Sequence, residues 1–137
     1  MLQGFSRLTL AVSNPEISFR VYTGLLQLTP HARWETGAYL SAGDLWLCLS
    51  WDANCSSHQQ DYTHTAFSVS QHDFSTLVRK LRDAGVSEWK RNRSEGDSFY
   101  FLDPDGHQLE LHVGCLQSRL AACKLAPYKN MVFYSSR

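Results

Sequence analysis

Hydrophobic and polar residues alternate in two short segments, one near the start of the chain and one near its middle. Residues 6–13 and residues 63–70 both show this alternation, and both end in Val-Ser. A period of two is typical of a β-strand with one buried face. Because the two strands begin stretches of similar length, we expect the chain to contain an internal repeat.

A helical pattern follows each predicted strand. After the second strand, apolar residues recur at i, i+3, i+4 and i+7, which is one face of an amphipathic helix: Phe74, Leu77, Val78 and Leu81. Ala84-Gly85 supplies the end of this helix. After the first strand the same period is weaker and is formed by four residues: Ile17, Val21, Leu25 and Leu28.

A predicted hairpin closes each half of the chain. Residues 37–40 and 45–49 flank the first turn, and residues 98–102 and 108–112 flank the second, Asp103-Pro104-Asp105-Gly106. Pro suits the second position of such a turn, and Gly suits a positive φ. We therefore predict an α+β protein of tandem β-α-β-β-β repeats in one domain. Its approximate bounds are repeat one over 4–50, a linker over 51–61, repeat two over 62–114, and a C-terminal helix and tail over 115–137.

Composition narrows the class of protein. The 137 residues include 13 Lys and Arg and 13 Asp and Glu, and this balance argues against a nucleic-acid-binding surface or a polybasic membrane patch. No apolar run approaches the ~20 residues of a membrane span, and we see no export signal. Four cysteines without a CxxC pair fit neither a zinc ribbon nor a disulfide scaffold. We expect a cytoplasmic protein with free thiols, and the pattern leaves open whether Cys48 or Cys55 reacts.

The predicted repeat resembles the vicinal oxygen chelate superfamily, which includes glyoxalases, extradiol dioxygenases and antibiotic-resistance proteins. In that superfamily each repeat curls into an open half-barrel. Metal ligands lie at the start of the first strand and on the last strand of each repeat. The resemblance therefore implies the glyoxalase/bleomycin-resistance/dioxygenase fold and four positions at which to look for ligands.

Those four positions hold two ligands and two residues that cannot bind a metal. His64 and Glu110 supply an imidazole and a carboxylate, which suit Mn²⁺, Fe²⁺ or Zn²⁺. Counting back from the turn glycines makes Leu47 the counterpart of Glu110, and a leucine cannot ligate. Arg7, the counterpart of His64, has donors only, and its charge opposes a nearby dication. In the absence of a metal, we expect Arg7 to pair with Glu110.

Longer runs resemble the FosA family of fosfomycin-resistance glutathione transferases. The resemblance covers nearly the whole chain, and residues 94–107 form its most specific run. The other matching runs include residues 31–34, 37–40, 43–50, 61–64, 109–114 and 118–123. Members of that family are homodimers that add the thiol of glutathione to the fosfomycin epoxide, using Mn²⁺ and K⁺. The resemblance implies the same activity, cofactors and assembly here.

The family's functional residues can be carried over to matching positions. His64 and Glu110 are then the metal ligands, with His64 extending to a site built mainly by the partner chain. The K⁺ loop consists of Asn92, Ser94, Glu95, Gly96 and Ser98. The phosphonate is held by Thr9, Lys90, Ser94, Ser98, Tyr100 and Arg119, with Tyr62 covering the drug. The glutathione side consists of Trp34, Tyr39, Trp46 and Ser50. Thr9 and Tyr39 are the implied catalytic residues, with Tyr39 helping the thiol to ionise.

The chain also departs from the family pattern. Arg7 follows Ser6 where the family has Asn-His, and Gln27 and Asn130 stand where the family has glycine. Thr65 replaces a tyrosine beside His64. Three hypotheses follow: an active transferase; a FosA-fold protein with weakened metal binding that binds or sequesters a small phosphonate-like anion; and another vicinal oxygen chelate enzyme such as an isomerase.

Overall fold

The structure, a computed structural model, describes residues 1–55 and 61–135. In the first half the elements are β1 (Arg7–Val12), α1 (Pro15–Arg20) continued by a π-helical turn (Val21–Leu25), β2 (Thr29–Trp34), β3 (Gly37–Ala42) and β4 (Leu45–Trp51). In the second half they are β5 (Thr65–Ser68), α2 (Gln71–Asp83), β6 (Glu88–Lys90), β7 (Ser98–Leu102) and β8 (Gln108–His112), followed by α3 (Leu116–Leu125). Within these described ranges, no helix has the length and apolar character needed to cross a membrane.

The strands form two four-stranded sheets of the same topology. Their orders are β1-β4-β3-β2 and β5-β8-β7-β6. The pairs β1–β4 and β5–β8 are parallel, and the other neighbouring strands are antiparallel. A parallel pair needs a crossover connection, and α1 and α2 begin those crossovers. The α+β prediction of tandem β-α-β-β-β repeats is confirmed, whereas residues 56–60 of the predicted linker lie outside the described residues.

The strand register corrects one predicted equivalence between the halves. In the first sheet Cys48 lies between Thr9 and Tyr39; in the second, Glu110 lies between Ala66 and Tyr100. Cys48 is therefore the counterpart of Glu110, and the prediction of Leu47 is wrong. The second hairpin is one residue longer, since nine residues separate its pair and eight separate the first. A shift of one residue also moves the side chain to the other face of the sheet.

One continuous core lies under both sheets. Strand residues at alternating positions supply most of it, together with Val78 and Leu81 of α2. The predicted face of α2 is confirmed, and Ser70 caps the helix by accepting a hydrogen bond from the Asp73 amide at 3.1 Å. The predicted face of the first helix is correct only in part: Leu28 is buried and Leu25 packs against the core, whereas Ile17 is 48% exposed and Ser18 and Tyr22 are buried. The π-helical turn after α1 breaks the 3.6-residue period on which that prediction depended.

Buried polar contacts join the two repeats at the turn between β7 and β8. Tyr22 donates to Asp103 Oδ2 at 2.8 Å, and Oδ1 of the same carboxylate accepts from the amides of Asp105 and His107, each at 2.9 Å. The Asp105 carboxylate accepts from the Ser13 amide at 3.2 Å. The Asp-Pro-Asp-Gly sequence thus forms the predicted turn and also attaches repeat one to repeat two.

We expect Tyr22→Phe to lower the free energy of unfolding by about 1–3 kcal/mol at pH 7, because a buried carboxylate loses a hydrogen-bond donor. Burial raises the pKa of the Asp103 carboxyl above its usual value, and the bond from Tyr22 opposes that rise. The bond therefore stabilises the charged form, and the loss should shrink as the pH falls through the pKa of the folded state. Urea unfolding at several pH values measures this; an equal loss at every pH would contradict it.

Among the residues that the structure describes, two non-glycine residues adopt left-handed backbone conformations. They are Gln27, with φ of 63°, and Asn130, with φ of 60°. These are the two positions at which the resemblance places glycine, which adopts such angles without steric cost. Repeat one of this chain therefore carries local strain after the π-helical turn.

We expect Gln27→Gly to raise the free energy of unfolding by about 0.5–1 kcal/mol, because relief of the left-handed strain exceeds the added flexibility of the unfolded chain. Thermal unfolding followed by circular dichroism measures the gain. Gln27→Ala is the matched control, since it removes the same polar group and keeps the Cβ. A gain of equal size in the alanine variant would show that the backbone conformation is not the cause.

Candidate active site

The face of the second sheet that points away from the core carries most of the predicted site residues. Alternation along β7 and β8 places Phe99, Phe101, Leu109 and Leu111 in the core. The opposite face therefore presents Ser98, Tyr100, Glu110 and His112. His64 precedes β5 on the same side of the sheet. The two-residue period of the strands thus places the residues that stabilise the repeat on one face and those available for chemistry on the other.

Glu110 and His64 form the centre of this face. The Glu110 side chain is buried, its Oε1 lies 3.1 Å from His64 Nε2, and its Oε2 accepts a hydrogen bond from Ser98 Oγ at 2.6 Å. A buried carboxylate requires such partners. Both residues belong to one chain, so His64 does not need a partner chain to reach Glu110. Within one chain the expected Arg7–Glu110 pair is not formed, and the Arg7 guanidinium lies over the Trp46 ring.

Aromatic rings and one cation surround His64. The rings of Tyr62, Trp89 and Tyr100 have centroids 4.8, 5.3 and 6.0 Å from the imidazole centroid. Lys90 Nζ donates to the Tyr62 hydroxyl and lies 4.5 and 4.8 Å from the ring centroids of Tyr62 and Tyr100. The hydrogen bond to Tyr62 raises the pKa of Lys90. The site therefore presents a permanent positive charge beside the His64–Glu110 pair.

The loop between β6 and β7 closes on itself beside this pair. Asn92 Nδ2 donates to the Gly96 carbonyl at 2.9 Å, and Asn92 Oδ1 accepts from both the amide and the hydroxyl of Ser94 at 3.1 Å. Gly96 has φ of 75°, and a Cβ there would collide with the Val113 carbonyl oxygen. Only glycine fits this close approach of two backbone segments, and so the conformation of the loop requires Gly96.

Helix α3 supplies a second cation to the same loop. Arg119 Nε donates to Glu95 Oε1 at 3.4 Å, and a terminal nitrogen of Arg119 donates to Ser94 Oγ at 3.3 Å. His112 Nε2 lies 3.6 Å from the same Glu95 oxygen. The structure thus brings together nearly all of the predicted residues of repeat two: Tyr62, His64, Lys90, Asn92, Ser94, Glu95, Gly96, Ser98, Tyr100, Glu110 and Arg119.

The predicted residues of repeat one lie on the corresponding face of the first sheet. Tyr39 stands edge-on between Trp34 and Trp46, with ring centroids 4.7 and 5.2 Å apart. Thr9 and Ser50 lie on the same face by strand alternation. In residues 1–55 and 61–135, no hydrogen bond or ion pair joins this set to the set on repeat two. A single chain therefore presents two separate half-sites.

The two half-sites differ in their capacity to hold a metal. His64 and Glu110 offer a nitrogen and a carboxylate oxygen 3.1 Å apart, a donor pair that fits Mn²⁺ or a similar dication. The described part of the chain contains no cluster of three or more His, Cys, Asp or Glu residues in a metal-binding arrangement. A metal held here therefore takes its remaining ligands from water, substrate or a second chain.

Sequence reasoning missed three residues of these faces. His112 Nδ1 lies 2.6 Å from Ser98 Oγ and donates to it, since the Ser98 hydroxyl itself donates to Glu110, and Trp89 packs between Tyr62 and Tyr100. Cys48 occupies the position equivalent to Glu110. The strand period contained the signal for His112, because a residue two positions after Glu110 shares its face. Trp89 and Cys48 needed the register of the strands.

The four cysteines are free in this chain. Cys55 donates to the Ala11 carbonyl at 3.4 Å, and burial together with the Asp105 carboxylate raises the pKa of its thiol. Cys48 is buried and directs its thiol toward the Leu49 carbonyl at 3.8 Å. A raised pKa lowers the thiolate fraction of a thiol at neutral pH.

The chain is similar to several known proteins. The model of the Glyoxalase/Bleomycin resistance protein/Dioxygenase superfamily matches residues 4–111. The chain is 57% identical to glutathione transferase FosA of Serratia marcescens over 98% of both chains. It is 38% identical to metallothiol transferase FosB of Staphylococcus haemolyticus over 95% of this chain and 98% of that one.

Solved structures resemble the chain as well. The fosfomycin resistance protein FosX of Listeria monocytogenes, in complex with Mn(II) and a sulfate ion, superposes with a TM-score of 0.78 at 26% identity, covering 89% of this chain and 98% of that one. FosX of Mesorhizobium loti gives a TM-score of 0.72 at 26% identity, covering 88% and 99%. The chain therefore belongs to the Glyoxalase/Bleomycin resistance protein/Dioxygenase superfamily and, within it, to the FosA family of glutathione transferases.

Proposed function

We propose that this chain inactivates fosfomycin by adding the thiol of glutathione to the epoxide, with a divalent metal as Lewis acid and K⁺ as activator. The observation that carries the proposal is the face of repeat two. There an imidazole and a carboxylate lie 3.1 Å apart beside two cations and several hydroxyl groups. A substrate with a phosphonate dianion next to an electrophilic epoxide needs this combination of groups.

The phosphonate is bound by cations and hydroxyls on both sides of the pair. Lys90 and Arg119 carry the positive charge, and hydroxyls from Thr9, Ser94, Ser98 and Tyr100 add donors. Charge-assisted hydrogen bonds of this kind are stronger than neutral ones. Tyr62, which is 57% exposed and bonded to Lys90, covers the bound drug.

His64 and Glu110 would hold the metal, which when bound withdraws electron density from the epoxide oxygen as the C–O bond breaks. Ser98 donates to Glu110 Oε2 and keeps the other carboxylate oxygen directed at His64. Mn²⁺ is the proposed ion. The loop formed by Asn92, Ser94, Glu95, Gly96 and Ser98 would hold K⁺ through its carbonyl, hydroxyl and carboxylate oxygens.

Glutathione lies against the aromatic face of repeat one, formed by Trp34, Tyr39, Trp46 and Ser50. Attack on carbon requires a thiolate, and the Tyr39 hydroxyl donates a hydrogen bond that stabilises the sulfur anion. Thr9, on the neighbouring strand, donates a hydrogen bond to the phosphonate of fosfomycin. We place the reaction in the cytoplasm, where thiols are kept reduced and where the four cysteines of this chain stay free.

The half-sites on the two repeats meet when two chains associate. Each sheet has unpaired edge strands, which favour association with a second copy. We therefore expect a homodimer with sites shared between chains, and a mass near twice 15.6 kDa by light scattering at micromolar concentration. A monomer under those conditions would contradict the shared site.

Arg7 favours a second candidate function. A guanidinium cannot ligate a metal, and it replaces a family histidine at the position equivalent to His64. In this alternative the protein retains its pocket, binds metal weakly, and binds or sequesters a small phosphonate-like anion without transforming it.

Mass spectrometry of the glutathione–fosfomycin adduct, in a Mn²⁺ titration with K⁺ present, separates the two candidates. Adduct that rises with Mn²⁺ is expected for the transferase. Absence of adduct up to millimolar Mn²⁺, together with calorimetric binding of fosfomycin, would favour the anion-binding alternative. A reaction mixture without protein is the control for uncatalysed addition.

A further inference from the structure

The Arg7 guanidinium lies over an aromatic ring. It is the first residue of β1, and the parallel register places it opposite Trp46 on β4. Its guanidinium carbon lies 4.8 Å from the centroid of the Trp46 ring. In residues 1–55 and 61–135 no carboxylate pairs with it. A guanidinium stacked on a ring keeps its N–H groups in the plane of the fork, where they can bind an oxyanion in bidentate fashion.

Comparison of the two repeats shows that Arg7 has the opposite chemistry to its counterpart His64. Arg7 corresponds to His64, Cys48 to Glu110 and Tyr39 to Tyr100. The pair in repeat two offers lone pairs to a cation, whereas the corresponding pair in repeat one offers a guanidinium and a thiol. Guanidinium groups only donate hydrogen bonds, and thiols accept them weakly. The face of repeat one therefore selects an oxyanion.

We propose that Arg7 binds a carboxylate of the thiol co-substrate and so determines co-substrate specificity in this chain. The proposal rests on the proposed function. Arg7 continues the row formed by Trp46, Tyr39 and Trp34, whose successive rings are 5.2 and 4.7 Å apart. In the proposed function glutathione, which carries two carboxylates, lies along this row, whereas the two cations that bind the phosphonate, Lys90 and Arg119, belong to the other repeat. The phosphonate of fosfomycin is a second oxyanion in the site. The experiment distinguishes binding of Arg7 to this phosphonate from binding of Arg7 to a carboxylate of glutathione.

The test compares ligand binding by three proteins: wild type, Arg7→Gln and Arg7→Lys. Each is used as the full chain with Mn²⁺ and K⁺ present. Binding is measured by calorimetry and by the fluorescence of Trp34 and Trp46. We expect Arg7→Gln to weaken glutathione binding by ~10-fold or more, because a hydrogen bond between charged groups is lost. Arg7→Lys should restore part of the affinity. Fosfomycin affinity should change less than twofold. The diethyl ester of glutathione should bind wild type and Arg7→Gln equally.

Arg33→Gln is the matched control, because Arg33 is also an exposed arginine stacked on a ring, 4.4 Å from the Phe19 centroid, on the opposite face of the same sheet. It should leave glutathione binding unchanged. Equal glutathione affinity in wild type and Arg7→Gln would overturn the proposal, as would a selective loss of fosfomycin affinity. If the proposed transferase activity fails, wild type forms no adduct; Arg7-dependent glutathione binding would then still support this inference.

Discussion

Replacement of Arg7 by histidine is expected to raise Mn²⁺ affinity and fosfomycin turnover at least ~10-fold, since even indirect partners of a metal contribute ~10- to 100-fold. The substitution removes a positive charge that opposes a dication and adds an imidazole at the position equivalent to His64. Steady-state adduct formation during a Mn²⁺ titration, with free Mn²⁺ followed by electron paramagnetic resonance, measures both effects.

Arg7→Gln separates the charge from the ligand. It removes the same positive charge without adding a nitrogen lone pair, so a gain seen in Arg7→His and absent from Arg7→Gln is due to ligation. The histidine variant should also show a higher KM for glutathione, because the carboxylate contact proposed for Arg7 is lost. Unchanged Mn²⁺ affinity and turnover in Arg7→His would show that residue 7 lies outside the metal site.

Replacement of Glu110 by glutamine is expected to lower Mn²⁺ affinity and adduct formation by at least ~100-fold. The amide is neutral and a weaker ligand than the carboxylate, and a direct ligand should contribute at least as much as the groups that support one. The change preserves the size of a side chain that is only 5% exposed, so the fold should persist. Mn²⁺ binding followed by electron paramagnetic resonance gives a readout that does not depend on turnover.

Glu88→Gln is the matched control for this prediction. Glu88 lies on β6 of the same sheet, and its carboxylate pairs with Arg82 at 3.0 Å in an exposed position. Its replacement should change neither Mn²⁺ affinity nor turnover, because exposed ion pairs contribute little. Equal Mn²⁺ affinity in Glu110→Gln and wild type would show that the metal is held elsewhere, and the His64–Glu110 pair would then be structural.

Sequence patterns were sufficient for the local elements of the fold. The strand that contains Glu110, the helix Gln71–Asp83 and the Asp-Pro-Asp-Gly turn all form as predicted. Each of these is specified by neighbouring residues through a period or a turn preference. The face of α1 could be predicted only in part in this way, because the π-helical turn breaks the helical period and Tyr22 is buried, where its hydroxyl contacts Asp103 of the other repeat.

The candidate site was predicted by residue type and only partly by position. His64 and Glu110 were expected in one site, with His64 extending to the partner chain, whereas the structure joins them within a single chain; the same reasoning made Leu47 the counterpart of Glu110. That error came from treating the two turn glycines as equivalent: Cys48 lies five positions after Gly43, whereas Glu110 lies four positions after Gly106, and no local pattern marks the difference. The Arg7–Glu110 pair was also expected, and within one chain Arg7 contacts Trp46 instead.

The sequence by itself therefore determined the repeat, its elements and the family, because each is encoded in the order and period of nearby residues. The tertiary structure decided which side chains meet. It joined His64 to Glu110 across 46 positions, aligned Cys48 with Glu110 and turned Arg7 toward the aromatic row. Such contacts depend on strand register and on packing between distant segments, and a shift of one residue reverses the face that each side chain occupies.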